Sequence, residues 1–437
     1  MKTIYSSTLM LLCVWLSVSS CSKEQNPAPP QDEEEQQLSL TINQAMIMVS
    51  STVTFEVTAD GEPVTDADIF INGQKTDAYQ HQFNQAQTAT AIAKKDGYKD
   101  SEPLTITVNV MQSDVDIYVL GEGYHEQLQG IWPMYWKNGE PMPLLLAPNH
   151  MEDPVIYHSI AVSGHDVYIT GERIFSSSRA SAFFWKNNTY HELTQPSGYA
   201  KGLDISLADD DVYVAGVQKN ANNLIDIAYW KNGGELPVRL DSGTIGQTGE
   251  SFIKVIGDDV HVAGILDAEP TYWKNGVATP LEGTGVVTGI AVSDHGDVYI
   301  SGYGSNGNRT IAKYWKNGQE VILGTGELES ESSSIFVEDD DVYVAGYEKV
   351  LHKSGQGRVN VARYWKNGEA VDLTDRSYPA EASGIFVLDG NVYVSGIESL
   401  PDQKVSATYW HNSQPVRLSN KDHNGQAGDI FVVKKNP

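Results

Sequence analysis

Cysteine is nearly absent from this chain of 437 residues, which contains only Cys13 and Cys21. Both lie close to the N-terminus, so no disulfide framework joins the rest of the chain, and its stability must come from packing. Positive charge is scarce as well, with 30 Lys and Arg against 57 Asp and Glu and a formal net charge of −27. Such a chain repels phosphate backbones and anionic membrane surfaces, which excludes nucleic acid as an expected partner.

Signatures of catalysis and cofactor binding are also missing. The eleven histidines form no HExxH pattern, and no cysteine is placed to act as a metal ligand. The stretch GYGSNG, residues 302–307, matches GxGxxG by letters, but it leads into another strand rather than a helix. The acidic turns ADDD and EDDD recur with the repeats described below and are interpreted as turns rather than calcium sites. No cofactor and no metal are therefore expected.

The N-terminus has the pattern of a secretory signal. Lys2 precedes an apolar stretch from about Leu9 to Val18, which is too short to span a membrane as a helix. The ending VSSC resembles a bacterial lipobox, and the resemblance implies that Cys21 becomes the acylated first residue after cleavage of residues 1–20. An ordinary signal peptide with a chance cysteine is the alternative.

Residues 21–36 are predicted to be a flexible tether, because the stretch SKEQNPAPPQDEEEQQ is rich in proline and acid and cannot build a core. Ser22 after the lipobox cysteine resembles the pattern of outer-membrane lipoproteins. The acidic tether is similar to surface-export signals of Bacteroidota lipoproteins, although the DEEE run begins further from Cys21 than in those signals. We expect an outer-membrane, lipid-anchored protein that faces the cell exterior, with the periplasmic face as the alternative.

Residues 37–110 predict a small β-domain. Segments such as LSLTI and STVTFEVTADGEPV alternate apolar and polar residues and are separated by turn residues, as in a β-sandwich. The stretch resembles bacterial Ig-like domains, including the phrase KKDGYKDS before its last strand. The resemblance implies a spacer, and a binding role is the alternative.

Residues 111–437 contain seven copies of one pattern. Each copy carries a phrase like YWKNG, and about twenty residues earlier a phrase like DVYVAG. The copies are about 46 residues apart, and in all but the first a phrase of the form I-x-V precedes DVYVAG. A short fourth segment follows each YWKNG phrase. Four short strands per repeat of 40–50 residues predict an all-β fold in which a seven-bladed β-propeller follows the Ig-like domain.

The repeated aromatic residues are interpreted as structural. The seven tryptophans of the YWKNG phrases are expected to lie buried between blades: Trp136, Trp185, Trp230, Trp273, Trp315, Trp365 and Trp410. Asn-Gly after the tryptophan is typical of a type I′ hairpin, and the Asn-Asn and Asn-Ser variants of copies two and seven predict looser hairpins. The Asp of DVYVAG is expected to accept N–H bonds from the turn before it.

The extra C-terminal strand predicts how the propeller closes. The first copy lacks a clear I-x-V phrase, and the chain ends with an additional one, DIFVV, from Asp429 to Val433. Pairing of this strand with the first blade leaves no open edge between the first and last blades. The alternative is that Val110 supplies the missing strand. The repeats as a whole look like those of uncharacterised Bacteroidota surface lipoproteins, a likeness that implies no particular activity.

The variable loops on one rim are the predicted binding site, because variable loops on a rigid scaffold commonly bind ligands. Candidate rim residues are Tyr124, His125, Trp132, Tyr157, His158, Arg179, His352 and Arg358. Trp132 stands outside the repeated phrases and is suited to stack on a sugar or anchor a protein, and packing of its own loop is the alternative.

These features favour a non-catalytic, monomeric cell-surface protein that binds a glycan or a protein partner. One alternative is a glycan-degrading hydrolase or lyase, which requires an acidic or His/Tyr/Arg cluster at the central rim. Another is a structural scaffold that engages an outer-membrane protein. The sequence leaves these alternatives open.

Overall fold

The computed structural model describes residues 36–42, 47–48, 52–76, 79–83, 87–109, 114–144, 154–195, 197–234, 236–243, 250–324, 327–419 and 423–435. The predicted signal peptide, Cys21 and nearly all of the tether lie outside the described residues. Every regular element in the described ranges is a strand, which confirms the all-β prediction. No helix in these ranges could cross a membrane. Contacts divide the chain into two compact units, Met1–Gln112 and Ser113–Pro437.

The first unit contains two sheets that share one hydrophobic core. One sheet pairs in the order β1-β3-β4, with β7 added to β3, and the other in the order β2-β9-β8-β5-β6. The strands are β1 (Leu38–Ile42), β2 (Ile47–Met48), β3 (Thr52–Ala59), β4 (Glu62–Pro63), β5 (Asp68–Ile71), β6 (Gln74–Lys75), β7 (Gln80–Gln82), β8 (Gln87–Lys94) and β9 (Leu104–Asn109). Phe55 and Val57 of the first sheet and Ala89 and Ala91 of the second belong to this core, as alternation along both sheets requires.

The described residues of the second unit form seven four-stranded antiparallel sheets, numbered I to VII. Sheet I is β10 (Val115–His125), β11 (Gly130–Lys137), β12 (Glu140–Pro143) and β37 (Gln426–Lys434); sheet II is β13 (Val155–Ser163), β14 (Asp166–Ser176), β15 (Arg179–Lys186) and β16 (Thr189–Glu192); sheet III is β17 (Ala200–Ala208), β18 (Asp211–Lys219), β19 (Ile225–Lys231) and β20 (Val238–Gly243). Sheet IV is β21 (Ser251–Ile256), β22 (Asp259–Leu266), β23 (Glu269–Lys274) and β24 (Val277–Pro280); sheet V is β25 (Val286–Val292), β26 (Val298–Ser305), β27 (Thr310–Lys316) and β28 (Gln319–Ile322). Sheet VI is β29 (Ser330–Glu338), β30 (Asp341–Leu351), β31 (Arg358–Lys366) and β32 (Glu369–Asp372); sheet VII is β33 (Ala380–Leu388), β34 (Asn391–Ser399), β35 (Val405–His411) and β36 (Gln414–Arg417).

In each sheet, one of the two edge strands lines the centre of a ring. These seven inner strands are β37, β13, β17, β21, β25, β29 and β33, and each contacts the next until β33 meets β37 again. A closed ring of four-stranded antiparallel sheets is the arrangement of a β-propeller. The predicted pairing of the DIFVV strand is confirmed, because β37 pairs with β10 from Val115↔Lys434 to Glu122↔Gln426.

The Trp phrases hold neighbouring sheets together, as predicted. All seven tryptophans are buried, at 0–3% exposure. Trp230 of sheet III packs with Tyr168 and Phe184 of sheet II, and Trp410 of sheet VII packs with Tyr343 of sheet VI. Trp136 of sheet I closes the ring by packing with Tyr393 of sheet VII.

A side-chain clasp explains why Asp and Lys-Asn recur together. In sheet III, Asn232 donates from Nδ2 to Asp211 Oδ1 at 2.6 Å and accepts the N–H of Val212 at 2.8 Å. Lys231 Nζ lies 2.6 Å from Asp211 Oδ2. The same Asn–Asp contact joins residues 138 and 116, 187 and 166, 275 and 259, 317 and 297, and 367 and 341. The Asp therefore binds the hairpin at the end of the adjacent strand, and the prediction that it accepts N–H bonds from the turn before it is wrong.

The hairpins keep one conformation throughout. Asn232 has φ 54° and Gly233 has φ 71°, as a type I′ turn requires. Copies two and seven adopt it without glycine, since Asn188 has φ 71° and Ser413 has φ 66°. The clasp compensates for the unfavourable backbone, so the expectation of looser hairpins is wrong.

A bulge in most inner strands brings a carbonyl close to the Gly of DVYVAG. The register shifts between Gly202 and Asp204 in β17, and a Cβ on Gly216 would lie only 1.9 Å from the Lys201 carbonyl oxygen. No shift interrupts the pairing of β21 with β22, and there the corresponding distance at Gly264 is 2.9 Å. Glycine is thus required where the strand bulges.

Candidate functional site

Two cavities lie along the axis of the ring. The first, here called the lumen, has a volume of about 560 Å³ and is lined by all seven inner strands. The second, called the mouth, has a volume of about 810 Å³ and is lined where the inner strands begin. Phe252, Thr288 and Ser333 belong to both walls, so the two cavities are neighbours. Both volumes fall in the range of small-molecule sites.

Carboxylates and tyrosines share the mouth. Its wall contains Glu122, Tyr157, Glu250, Tyr303, Glu331, Tyr347 and Glu381. Glu331 and Tyr347 face each other across β29 and β30. Burial and the nearby charges of Glu331 and Glu381 raise the pKa of Tyr347, so its hydroxyl stays protonated. Burial raises the pKa of Glu250, and the nearby His158 and Lys201 oppose part of that rise.

One buried ion pair borders this group. Glu172 is only 2% exposed, and its Oε1 lies 2.9 Å from Lys201 Nζ and 3.6 Å from His158 Nε2. Burial alone would raise the pKa of Glu172, but His158 and Lys201 outweigh burial and lower it. Because Lys201 is neutralised here, the mouth as a whole remains negative.

Two carboxyl groups meet in the lumen through one hydroxyl. Ser159 Oγ lies 2.8 Å from Asp204 Oδ1 and 3.0 Å from Asp429 Oδ2. Asp429 also accepts the N–H of Ile160, and Asp204 accepts the N–H of Ile253, so each carboxyl reaches the next inner strand. Burial, assisted by the charge of Asp429, raises the pKa of Asp204 to about 6, and burial raises that of Asp429.

A hydroxyl has a single proton, so Ser159 can donate to only one of these two carboxyl groups. The second short contact becomes favourable when one carboxyl is protonated and donates to Ser159 Oγ. Below about pH 6 the geometry therefore fits a shared proton, with one of the two carboxyl groups protonated, Ser159 in the middle and the other carboxyl group ionised. This bridge ties sheets I, II and III at the place where the ring closes.

The predicted rim residues are dispersed. Tyr157 lines the mouth, with its ring 5.5 Å from that of Phe183, and His158 lines the lumen. Trp132 lies within strand β11 and packs, partly buried, on the core that contains Trp136. Tyr124 stacks on His423, with ring centroids 3.5 Å apart.

The remaining rim residues serve their own loops or stand alone. His125 Nδ1 accepts the N–H of Leu128, and His352 contacts Ser354 Oγ at 2.8 Å and the Ser377 carbonyl at 2.9 Å. Arg179 is exposed at the start of β15, 6.0 Å from the Phe175 ring, and Arg358 is exposed at the start of β31. Among the described residues, no hydrogen bond, ion pair or ring contact joins any two of the predicted rim residues. Their role in binding stays a prediction.

Sequence reasoning missed the mouth carboxylates and the lumen residues. Glu331 and Glu381 stand at the beginning of inner strands, each four residues before the Ile of SIFV or GIFV, and Glu250 stands before FIKV. The I-x-V phrases could have indicated these residues, because the variable positions in and beside these phrases lie around the axis. Within the described ranges, no group of three His, Cys, Asp or Glu side chains is placed to hold a metal.

Comparisons with known proteins give no family and no activity for this chain. No protein-family model matches the chain, and a search of curated proteins gives no match. Similar solved structures include the β-propeller domain of the Trilobed protease from Pyrococcus furiosus, with 8% identity and a TM-score of 0.37 over 88% of this chain and 99% of that one. A TolB-like protein from Agrobacterium tumefaciens has 12% identity and a TM-score of 0.34 over 73% of this chain and 98% of that one. The Nidogen/Laminin complex has 12% identity and a TM-score of 0.36 over 62% of this chain and 100% of that one. At such scores the propeller assignment rests on the pairing of this chain's own strands.

Proposed function

We propose that this protein is a non-catalytic, lipid-anchored surface protein that binds a glycan at the mouth of its propeller. The observation that carries the proposal is the mouth itself, in which tyrosines and carboxylates surround a cavity of about 810 Å³. Tyr157, Tyr303 and Tyr347 offer flat apolar faces with protonated hydroxyls, the chemistry that sugar rings and their C–H faces require. Glu331 and Glu381 offer acceptors for sugar hydroxyls.

The charge of the mouth selects among glycans. Glu122, Glu250, Glu331 and Glu381 line it, and the nearby ammonium of Lys201 is already paired with Glu172. A sulfated or uronic-acid polymer would be repelled, because unpaired like charges at close range cost free energy. The proposal therefore names a neutral or amino-bearing glycan, and a cationic protein segment is the other outcome of the test.

The other parts of the proposal are the domains and the lipid anchor that the sequence predicts. Each of sheets I–VII is one blade of a seven-bladed propeller, and the first unit is an Ig-like spacer. Cys21 carries the lipid, and residues 21–36 form a tether at the outer face of the outer membrane. Replacement of Cys21 by Ala is expected to abolish incorporation of a labelled fatty acid and release the protein from the membrane fraction. Digestion of the protein on intact cells by added protease supports the outward orientation, and resistance contradicts it.

Affinity electrophoresis of the purified protein through a panel of neutral, amino-bearing and acidic polysaccharides tests binding at the mouth. Retardation by a neutral or amino-bearing polymer is expected, and it should fall in the variants Glu331→Gln and Tyr347→Ala. The matched control is Glu369→Gln, an exposed carboxylate at the hairpin of β31 and β32. Retardation that survives both mouth variants, or that only acidic polymers produce, contradicts the proposed site.

Glycan hydrolysis is the second candidate function, and the mouth supplies a specific observation for it. The predicted hydrolase required an acidic or His/Tyr/Arg cluster at the central rim, and in the mouth Glu250, Glu331 and Glu381 lie beside tyrosines. Burial raises the pKa of Glu250, as a general acid needs. Release of reducing ends, measured in parallel with electrophoresis and lost in Glu250→Gln, would establish hydrolysis in place of binding alone.

A further inference from the structure

The middle residue of the I-x-V phrases forms one layer around the lumen. Each of these residues lies opposite the first aromatic residue of its DVYVAG phrase, so the seven positions are equivalent. They are Ala161, Ser206, Lys254, Ala291, Phe336, Phe386 and Phe431, opposite Tyr168, Tyr213, His261, Tyr299, Tyr343, Tyr393 and Tyr118. The layer contains one cation, three aromatic rings and three small residues.

The three rings form an unbroken apolar arc. Phe336, Phe386 and Phe431 stand on the successive inner strands β29, β33 and β37, and all three line the lumen. Ring centroids are 4.6 Å apart for Phe336 and Phe386, and 4.9 Å apart for Phe386 and Phe431. The rings are only partly buried, so each still presents a face to the cavity.

Lys254 stands across the lumen from this arc. In the ring of inner strands, β21 is separated from both β33 and β37 by three steps, the largest separation that seven strands allow. The positions between them on one side are occupied by Ala161 and Ser206, whose small side chains leave the space open. The lumen thus has an aromatic wall and a cationic wall.

The ammonium group of Lys254 is unpaired. Within the described part of the chain it makes no hydrogen bond and no ion pair, unlike Lys201, which is paired with Glu172. The side chain of Lys254 is exposed within the lumen, and the protein around it lowers the pKa of its ammonium group against the attraction of Asp204. An anion that enters the lumen is attracted to this ammonium group, because no carboxylate among the described residues is paired with it.

The lumen carboxyl groups do not compete for this role. Asp204 contacts Ser159 Oγ and accepts the N–H groups of Ile205 and Ile253, and Asp429 contacts the same hydroxyl and accepts the N–H groups of Ile160 and Ile430. Their oxygens are already satisfied by these donors, so Lys254 remains free to bind a group that enters the lumen.

We propose that the lumen is a second binding site, which takes a small aromatic carboxylate with its ring against Phe386 and Phe431 and its carboxylate at Lys254. The volume of about 560 Å³ accommodates a ligand of one or two fused rings. This site is independent of glycan binding at the mouth, because none of its three ligand-binding residues lines that cavity.

The test uses 1-naphthoate as the probe, with titration calorimetry on the purified protein. Saturable binding is expected, and Lys254→Met, which keeps the length of the side chain without its charge, should weaken it roughly 10- to 100-fold. The matched control Lys274→Met removes a lysine that is paired with Asp259 at the outer hairpin, and it should leave binding unchanged. Phe386→Ala should also weaken binding.

Two further measurements keep the proposal falsifiable if a variant fails to fold. The neutral analogue 1-naphthamide should bind the unaltered protein at least roughly tenfold more weakly than 1-naphthoate, since it lacks the charge. The mouth variant Glu331→Gln should bind 1-naphthoate normally even if it loses glycan binding. Absence of saturable binding, equal affinity for acid and amide, or insensitivity to Lys254→Met overturns the lumen site and leaves the mouth proposal untouched.

Discussion

Protonation of Asp204 is expected to make the stability of the propeller fall as the pH rises above 4. In the unfolded chain an aspartate ionises near pH 3.8, whereas the pKa of Asp204 in the folded protein is raised to about 6. The folded state therefore holds a proton that the unfolded state has released. This term favours folding most at about pH 4, declines as the pH rises to about 6, and is flat above that.

The magnitude follows from the difference between the two pKa values. At about 1.4 kcal/mol for each pH unit, Asp204 alone contributes about 3 kcal/mol over its whole titration, of which about 2 kcal/mol should be lost between roughly pH 4 and pH 6.5. Asp429, whose pKa is also raised, acts in the same direction. Buried histidines oppose it, because burial lowers the pKa of His261 and of His411 and they favour folding as the pH rises towards 6.5.

A difference measurement isolates the carboxyl group. Urea unfolding, followed by the fluorescence of the buried tryptophans, is measured for the unaltered protein and for Asp204→Asn from pH 4.5 to pH 7.5. The amide loses one acceptor at all pH values, a constant cost of roughly 1–3 kcal/mol. The stability deficit of the variant should therefore be largest at pH 4.5 and shrink by about 2 kcal/mol as the pH rises to 7.5.

The control is Asp210→Asn, which removes an exposed carboxylate from the turn before β18 and should give a flat difference. An equally flat difference for Asp204→Asn would refute the reasoning. It would mean that Asp204 and Asp429 are both ionised in the folded protein and that Ser159 does not share a proton with them.

Three other predictions concern the frame. Gly216→Ala should lower the free energy of unfolding by at least about 2 kcal/mol, because its Cβ would clash with a carbonyl oxygen at the β-bulge. Gly264→Ala, in the sheet without that bulge, should lower it less. Equal losses in urea unfolding would contradict the role of the bulge. Asn232→Ala should cost roughly 1–3 kcal/mol by removing the clasp, against no measurable change for the exposed Asn222→Ala, and thermal unfolding compares the two. Deletion of residues 426–437 should expose the edge of β10 and produce oligomers in size-exclusion chromatography, and a stable monomer would show that the closing strand is dispensable.

The strands and hairpins of the sheets were predictable because the sequence patterns that specify them are local. Asn-Gly after each Trp predicts a hairpin from adjacent residues, and the spacing of the phrases predicts four strands for each sheet. The clasp was harder to foresee, since Asn232 and Asp211 are brought together only when β18 and β19 pair.

The site was not predictable in the same way, because its residues come together only in the ring. Ser159 and Asp429 are 270 residues apart in the chain and meet where sheets I and II adjoin. Trp132 and His352 were selected because they belong to long or variable loops. In the structure, Trp132 packs on the core and His352 contacts its own loops. The residues around the axis could have been identified from the I-x-V phrases, because Lys254 and Phe386 occupy one repeated position at which the copies differ.

The pairing of β37 with β10 also fixes the order of events during synthesis. Val115 emerges before the strands of sheets II–VII and Lys434 after them, so sheet I lacks its inner strand until those six sheets have been synthesised. Non-local pairing of this kind is slow to form, whereas sheets II–VII are each built from consecutive strands. The nascent chain can therefore assemble six sheets one after another, but the lumen, the bridge at Ser159 and the binding sites around the axis come into being together, in the final step.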